Sequence, residues 1–536
     1  MCIVVAALGL AVPGCSSAAS TRYISPTGSD SASCSGGDPC RSFDRAYHVA
    51  SPGDVVQVAG GRYGAQTITD DPSKNGSVAE VVIRPAQGAS VTITDLLSYA
   101  SNVRYVDFTV DLAGHGQPDI RAGHDVTVQN ARATNFYVHG RTRDVTILGG
   151  EYGPYISEGG GSQISSLTLG GDDPDPQAQP HNTVVDGVYF HDYDVPAGSS
   201  AHLDCLHVFF HVAVTVRNSR FERCKHYGIL LGSNGSGAAE HDVIENNFFG
   251  TADVAGFALR GGDGEDFDDV LVRNNSGGFI TPQTTSVLRN VEWIANAASD
   301  IGPCRTGITY RHNVSARTTC GPTDVRADPN FVSPSTGDFH LRAGSPAIDK
   351  GDPTSFPLGD IDGHARFTGS APDAGAHEFG ATAPAPPSAG AGGGAAGGGG
   401  TRVPAGGSDP AGSGTSGGTG EALAGALAPR VSLSRSRLRV SRDGLVRLRL
   451  LCTGPGRRCA LGLGLRARLT GGTRQTRVAH RTASIAAGRT VGVRLRLSPR
   501  ARKVIERRSV TATLRVAIRI GGVTRVVTRT VELRRR

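Results

Sequence analysis

Lysine is almost missing from this chain. Only four of the 536 residues are lysine (Lys74, Lys225, Lys350 and Lys503), although arginine is abundant. Such a bias follows from a GC-rich coding sequence as readily as from function, so the arginines by themselves identify no partner. A lone lysine in a repetitive segment is more informative, and Lys225 is the lysine of the repeat core.

The usual signatures of several enzyme classes are also missing. There is no CxxC pair, nucleophile elbow, phosphate-binding loop or zinc-binding helix, and GGDG lacks the strand-before, helix-after context of a nucleotide site. The arginines of the C-terminal region have no aromatic residues among them, so bases cannot stack there. We therefore expect no nucleotide cofactor and no specific binding of nucleic acid.

Long apolar runs are limited to the start of the chain. Residues 1–20 (MCIVVAALGLAVPGCSSAAS) are too short to span a membrane and are typical of an export signal. Cleavage near Ala19 would release a secreted protein, whereas VPGC resembles a lipoprotein box with Cys15 as lipid anchor. We expect a secreted or cell-surface protein without a transmembrane segment.

Cysteine usage fits export. Apart from Cys2 and Cys15, eight cysteines occur as four locally spaced pairs: Cys34/Cys40, Cys205/Cys224, Cys304/Cys320 and Cys452/Cys459. An even set of this kind in an exported chain predicts disulfides rather than a metal site.

Charge divides the chain. Residues 430–536 hold 29 basic and three acidic residues, a net charge of +26, whereas residues 1–429 carry −19. Residues 381–429 are rich in Gly, Ala, Pro and Ser and predict a flexible linker. Beyond them, apolar residues alternate with arginine, which predicts a small β-sandwich of immunoglobulin-like type with an anionic polymer as a candidate partner.

Residues 21–380 carry an irregular repeat. Its turn markers are Asn130, Gly149, Asp186, Asn218, Asn246 and Asn274, preceded at two residues by Val128, Ile147, Val184, Val216, Ile244 and Val272. An aromatic residue follows several markers at three residues (Tyr152, Tyr189, Phe221 and Phe249), and Asn290 repeats the pattern. Short strands without intervening helices predict an all-β solenoid, in which side-chain amides of the markers can bond from coil to coil.

Two segments carry a family resemblance. Residues 22–63 (RYISPTGSD…CRSFDRAYHVASPGDVVQVAGGRY) resemble the entry segment, and residues 328–379 the distal end, of secreted right-handed parallel β-helix proteins of the pectate-lyase-like superfamily. The resemblance covers about residues 22–380. It implies a capping helix near Phe43–Ala50, a monomer and a polysaccharide partner, but not one activity, because the fold carries lyases, hydrolases, epimerases and adhesive proteins.

Candidate chemistry is concentrated in SAHLDCLHVFFH, residues 200–211. Aligning Leu206 and Val208 with Ile229 and Leu231 places His202 beside Lys225 and Asp204 beside Tyr227 on neighbouring coils, about 4.8 Å apart. The following coil adds Arg260 and the acidic loop GGDGEDFDD.

The resemblance implies roles for these residues in a lyase acting on uronic-acid polymers. Such an enzyme needs a base for the proton alpha to the carboxylate and a cation that neutralises the carboxylate. Lys225 is the first candidate base, with His202, His207 or His226 as alternatives, and Arg260 pairs the carboxylate. Ca²⁺ is the one cofactor implied, held by Asp204 with Asp263, Glu265 or Asp266.

Two other functions stay open. A glycoside hydrolase would use Asp204 with Asp192 or Asp194 as facing carboxylates. A non-catalytic surface protein would bind glycan or cell envelope without cleaving it. The sequence favours the lyase over the hydrolase.

Overall fold

The computed structural model describes residues 19–75, 79–111, 116–156, 167–170, 178–199, 201–232, 239–240, 242–261, 266–382, 384, 430–432, 437–441, 444–453, 458–467, 476–486, 490–505, 507, 510–520 and 523–535. The chain forms two compact units, Met1–Pro384 and Ala385–Arg536. Among the described residues, no helix has the length and hydropathy needed to cross a membrane.

The N-terminal unit consists of short strands, because β-branched residues alternate with polar ones over four to six positions. Twelve of the described strands form sheet 1, which is parallel throughout. In chain order they are Thr21–Ile24, Val55–Val58, Val81–Pro85, Val103–Val106, His124–Gln129, Arg143–Leu148, His181–Asp186, Val212–Arg217, Val243–Glu245, Leu271–Arg273, Val291–Ile294 and Ile308–Arg311.

Two more parallel sheets share the strand Ser276–Pro282. Sheet 2 also contains Gly61–Tyr63, Val91–Ile93, Thr109–Val110, Arg132–Ala133, Glu151–Tyr152, Tyr155–Ile156, Tyr189–Asp194, Arg220–Cys224, Phe248–Phe249, Ala297–Asp300, Val314–Ser315 and Val325–Arg326. Sheet 3 also contains Gln66–Ile68, Leu96–Ser98, Pro118–Arg121, Phe136–His139, Leu167–Leu169, Leu206–Val208, Tyr227–Leu231 and Ala255–Leu259.

The chain visits the three sheets in turn. One coil runs from His124–Gln129 in sheet 1 through Arg132–Ala133 and Phe136–His139, and the next begins in sheet 1 at Arg143–Leu148. Each strand pairs with the strands one coil before and after it, so neighbouring coils satisfy its backbone groups. This is the predicted right-handed parallel β-helix, with the hand that parallel crossovers almost always have.

Inward-facing residues of successive coils stack into columns. The sheet 1 column Val128, Ile147, Val185, Val216 and Ile244 is buried and paired in register. Aromatic rings form a second column (Tyr152, Phe190, Phe221 and Phe249), with centroids 5.8, 4.7 and 5.3 Å apart in that order. These columns form the apolar core.

The register corrects two of the predicted markers. Asp186 pairs with Arg217, so Gly187 occupies the turn equivalent to Asn218, and Val185 and Phe190 replace the predicted Val184 and Tyr189. Asn290 follows a strand of a small fourth sheet and precedes sheet 1 instead of following it. The described strands of this fourth sheet are Ala239–Glu240, Asp266–Asp268 and Val287–Arg289.

Asparagine ladders connect the coils, as the sequence predicted. Asn246 donates to Asn218 Oδ1 over 2.6 Å, and both residues adopt the left-handed conformation (φ 62° and 54°). A buried ladder lies one residue later along the chain. Its members Asn247, Asn275, Asn296, Asn313 and Asp324 are linked successively by amide-to-oxygen hydrogen bonds of 3.0 Å.

Two further segments pack against the β-helix, one before its coils and one after them in the chain. The helix Phe43–Val49 is capped by Ser42, whose side chain accepts from Arg45 N, and it buries Phe43 and Tyr47 against the first coils, as the resemblance implied. The distal segment contains the antiparallel strands Phe331–Ser333 and Asp338–Leu341. The remaining described elements of this unit are the 3-10 helices Pro72–Lys74 and Pro334–Thr336.

The C-terminal unit is also built of strands, and the immunoglobulin-like type stays a prediction. Its described elements are Arg430–Ser432, Arg437–Val440, Leu445–Thr453, Arg458–Ala467, Thr476–Ala486, Thr490–Arg496, Val510–Ile520 and Val523–Arg535, with the helix Pro499–Ile505. Pairing is antiparallel except between Arg437–Val440 and Val523–Arg535. Alternate residues such as Leu463, Leu465 and Ala467 are buried, so this strand has one apolar face, and the β-sandwich stays a prediction as well.

Candidate functional site

The site is built on the outer surface of sheet 3. The strand Leu206–Val208 pairs with Tyr227–Leu231 in the register predicted from the sequence. Leu206 and Val208 are buried in the core, so His207 between them points outward, because side chains alternate across a strand. The segment 201–205 precedes this strand and lies over the same surface.

Two imidazoles enclose one carboxylate at this place. His202 Nε2 lies 2.9 Å from Asp204 Oδ1, and His207 Nδ1 lies 3.0 Å from Asp204 Oδ2. The Asp204 side chain is fully buried, whereas the His202 and His207 side chains retain 22% and 12% of their exposure. The carboxylate is therefore shielded from water by two rings that themselves reach the surface.

The hydrogen bonds define which nitrogens carry protons. Burial alone would raise the pKa of the Asp204 carboxyl, but the bonds from His202 and His207 outweigh it and bring the pKa below its ordinary value of 3.8. An ionised carboxylate can only accept, so His202 Nε2 and His207 Nδ1 donate to it. In the neutral rings the lone pairs then lie on His202 Nδ1 and His207 Nε2.

His226 supports this arrangement. Its ring stacks on that of His202, with centroids 4.6 Å apart and planes 10° from parallel. The Leu203 backbone N–H donates to His226 Nδ1 over 3.0 Å. Because Nδ1 accepts, the proton of the neutral His226 ring is on Nε2, and this ring serves to hold His202 in position.

A disulfide fixes the segment that carries the cluster. Cys205 follows Asp204 directly and is bonded to Cys224, two residues before His226. The bridge therefore ties together the two chain segments that supply the imidazoles. Cys34–Cys40 and Cys304–Cys320 form as predicted, whereas the side chains of Cys452 and Cys459, and all of Cys15, lie outside the described part.

A phenol lies next to the His202 imidazole, and a guanidinium contacts the phenol. The Tyr227 and His202 ring centroids are 5.8 Å apart, and Arg260 Nη1 donates to the Tyr227 hydroxyl oxygen over 3.4 Å. The Tyr227 hydroxyl donates to Gln283 Oε1 over 3.0 Å. Burial raises the pKa of the Tyr227 phenol above its ordinary value of 10, although the Arg260 charge opposes the rise.

The predicted position of Lys225 is corrected. Its Nζ lies 3.3 Å from both Asp194 Oδ1 and Asp253 Oδ2, and these hydrogen bonds, that of Asp253 first, raise its pKa. His202 has His226 as its neighbour instead, because residues 225 and 226 form a bend between two strands, and ring stacking with the Leu203 N–H bond holds the His226 ring toward His202. A lysine held in its charged form cannot accept a proton, so the structure does not favour Lys225 as the base.

The predicted calcium ligands do not come together among the described residues. Asp204 is engaged by two imidazoles, and Asp266 Oδ2 accepts from Arg289 over 2.7 Å in the fourth sheet. Asp263 and Glu265 lie outside the described residues. A donor set of two nitrogens and one carboxylate does not fit Ca²⁺, which takes oxygen ligands.

The carboxylates considered for hydrolysis also belong to separate ion pairs. Asp192 accepts from Arg223, which holds the pKa of Asp192 at about 2, and Asp194 pairs with Lys225. A glycosidase acid must be protonated at the working pH. The pairing therefore disfavours the predicted hydrolase pairs.

Sequence reasoning missed part of the site. The sequence pattern places Tyr227 beside Asp204 without giving it a role, and Gln283 lies in a TPQTT segment that carries no recognisable motif. Gln283 directly follows the strand Ser276–Pro282 and Arg260 the strand Ala255–Leu259, so their contacts with Tyr227 emerge only when three coils are aligned.

Comparisons with known proteins identify no family. Neither a family model nor a curated protein matches the chain. Among solved structures, it is similar to pectate lyase Pel9A at 15% identity and a TM-score of 0.45, over 68% of this chain and 97% of that chain. It is also similar to a rhamnogalacturonan lyase at 14% identity and a TM-score of 0.35, over 59% and 91% of the two chains.

A third similar structure is a complex of XylC with xylose, at 8% identity and a TM-score of 0.29, over 58% of this chain and 87% of that chain. All three TM-scores are below 0.5, so the fold assignment rests on the strand pairing described above.

Proposed function

We propose that this protein is an exported, carbohydrate-active β-helix that cleaves uronic-acid polysaccharide by β-elimination on the outer surface of sheet 3. The observation that carries the proposal is the meeting of four chemical groups at one place. These are an imidazole with a carboxylate partner, a phenol and a guanidinium, contributed by His202, Asp204, Tyr227 and Arg260.

Each group has a part in elimination. Arg260 pairs the substrate carboxylate and stabilises the negative charge that develops on it. His202, with its lone pair on Nδ1, takes the proton from the carbon alpha to that carboxylate, and Asp204 stabilises the imidazolium that results. His207, the less exposed of the two rings, is the alternative base.

Tyr227 completes the reaction. As the carbon–hydrogen electron pair forms the new double bond, the glycosidic carbon–oxygen bond breaks and its electrons stay on the leaving oxygen. That oxygen takes the Tyr227 hydroxyl proton. The proton on His202 then returns to the phenolate through solvent, which restores both groups.

The location and a second partner are part of the proposal. Three disulfides in the described residues fit an oxidising exterior. The charge of +26 over residues 430–536 suits an anionic envelope polymer, which would keep the enzyme near its substrate.

The test is an assay of the purified full chain against a panel of uronate polymers, with ultraviolet absorbance of the unsaturated product as readout. The proposal expects product from at least one polymer. Binding without product on every polymer would support the non-catalytic glycan-binding alternative, and new reducing ends without ultraviolet absorbance would support hydrolysis.

A further inference from the structure

The three groups His202, Asp204 and His207 have a second chemical capability. Their ligand atoms all lie within 4.8 Å of one another, and each imidazole nitrogen is already directed at the carboxylate. We propose that these three side chains form a site for a divalent transition-metal ion of the zinc type, and that an ion bound there prevents His202 and His207 from acting as the base.

The spacing of the donors fits such an ion. Two ligands of a tetrahedral zinc with bonds of 2.0–2.1 Å lie roughly 3.3 Å apart. His202 Nε2 and His207 Nδ1 both lie 3.0 Å from Asp204 Oδ2, so these two separations need an expansion of a few tenths of an ångström. The two nitrogens lie within 4.8 Å of each other and must come to the same separation when an ion binds. Imidazole nitrogen with one carboxylate suits Zn²⁺, Fe²⁺ or Ni²⁺ and disfavours Ca²⁺.

The surrounding residues hold the donors in place. His202 is stacked on His226, which is itself fixed by the Leu203 N–H. The His207 ring lies edge-on to Phe209, with centroids 5.1 Å apart. Asp204 is anchored through the neighbouring Cys205–Cys224 bridge. The donor side chains therefore lose little further conformational freedom when an ion binds, which favours a high affinity for the ion.

The site offers three protein ligands, which leave a tetrahedral ion one further position. Asp204 is fully buried, whereas the His202 and His207 side chains retain 22% and 12% of their exposure. Structural zinc sites are closed by four protein ligands, so this one would bind water or an oxyanion in the fourth place.

A bound metal ion and the base function compete for the same two imidazole rings. A bound ion takes the lone pairs of His202 Nε2 and His207 Nδ1, and the ring protons move to the far nitrogens that otherwise accept the substrate proton. The binding part of this inference is independent of the proposed function, whereas the competition rests on it.

A second group of the same residue types fits less well. His340 is bonded on both nitrogens to carboxylates, Asp338 at 2.5 Å and Asp362 at 2.7 Å, and Asp362 also pairs with Arg220 at 3.2 Å. Both ring nitrogens of His340 are therefore already engaged by carboxylates. This second group provides a control in the experiment.

The experiment uses the untagged full chain after chelator treatment and dialysis. Isothermal titration calorimetry measures the affinity for Zn²⁺ and for Ca²⁺ of the wild type and of four variants, His202→Ala, His207→Ala, His226→Ala and His340→Ala. Thermal melts verify that each variant is folded. His139→Ala is the matched control, because His139 contacts one carboxylate, Asp119 at 2.6 Å, on the same sheet without a second imidazole.

We expect one strong Zn²⁺ site that His202→Ala or His207→Ala removes and that His226→Ala weakens by about 10–100-fold, as for an outer-shell partner. His139→Ala and His340→Ala should retain it. Co²⁺ bound to wild type should give the intense visible bands of a four-coordinate ion, a readout that needs no variant to fold.

Three results would overturn the inference. The first is that the wild type binds Zn²⁺ no better than the His202→Ala, His207→Ala double variant. The second is that the wild type binds Ca²⁺ as well as Zn²⁺, and the third is that Co²⁺ with the wild type gives the spectrum of the free ion.

For the competition, product formation should be highest in the presence of chelator and fall along the Zn²⁺ binding curve. An enzyme that needs Zn²⁺ would contradict it, whereas Zn²⁺ binding by an inactive protein would overturn the proposed function alone.

Discussion

Arg260→Ala and Lys225→Ala distinguish the structural assignment from the one that the sequence favoured. Arg260 lies 3.4 Å from the Tyr227 hydroxyl in the cluster, whereas Lys225 is bonded to the two exposed carboxylates of Asp194 and Asp253. The structure therefore predicts a large loss of activity for the first variant and little change for the second.

The expected magnitude follows from the role of Arg260. Removing one preorganised group that stabilises developing negative charge costs about 10²–10³ in rate, or roughly 2.7–4 kcal/mol of transition-state stabilisation. Because Arg260 would also contact the ground-state carboxylate, KM should rise as well as kcat fall. Arg260→Lys keeps the charge but loses the planar fork, so it should recover only part of the activity.

The assay is initial-rate formation of unsaturated product on the polymer that the wild type degrades best, with a melt of each variant to exclude unfolding. Tyr227→Phe, which keeps the ring and removes the proton, should lower kcat by about 10²–10⁴ with less effect on KM. A folded Lys225→Ala enzyme without activity, beside a fully active Arg260→Ala enzyme, would refute the assignment.

Three further predictions concern the scaffold. Asn275→Ala removes four buried hydrogen bonds and should lower the free energy of unfolding, measured in urea, by about 3 kcal/mol. Asn290→Ala removes one partly buried bond to Asp268 and should lower it by less than about 1.5 kcal/mol. Equal losses in the two variants would contradict the buried ladder. The bonds to Asp362 and Asp338 raise the pKa of His340 above 6.5, so its stabilising effect is complete below pH 6.5 and lost as pH rises through the folded pKa. His340→Gln should therefore lower the melting temperature at pH 6 more than at pH 9, and a pH-independent difference would contradict this. Cys224→Ser should leave the fold intact by circular dichroism but reduce product formation, since it releases the segment that carries Asp204; an active Cys224→Ser enzyme would show that the bridge does not position the site.

Much of the β-helix could be predicted from the sequence because its cause is local. Alternating β-branched residues predict strands, and residues such as Asn218 and Asn246 occupy left-handed turns that few other side chains tolerate. The same local pattern could not fix the coil at Asp186, where Gly187 takes the turn and shifts Phe190 into the aromatic column. A shift by one residue reverses which side chains are buried, and pairing with the neighbouring coils decides it.

The candidate site, like the fold, could be predicted only in part from the sequence. His202, Asp204 and His207 could be assigned to a coil edge from the residue pattern, because Leu206 and Val208 align with the strand of the next coil. That His226 and not Lys225 stacks on His202 follows from the folded chain alone. Lys225 and His226 are consecutive, so the sequence pattern does not show which of the two points toward His202. The choice depends on the turn that the Cys205–Cys224 bridge and the Leu203 N–H impose. Distances between coils are set by backbone pairing, but the direction of a single side chain at a bend is set by the contacts around it.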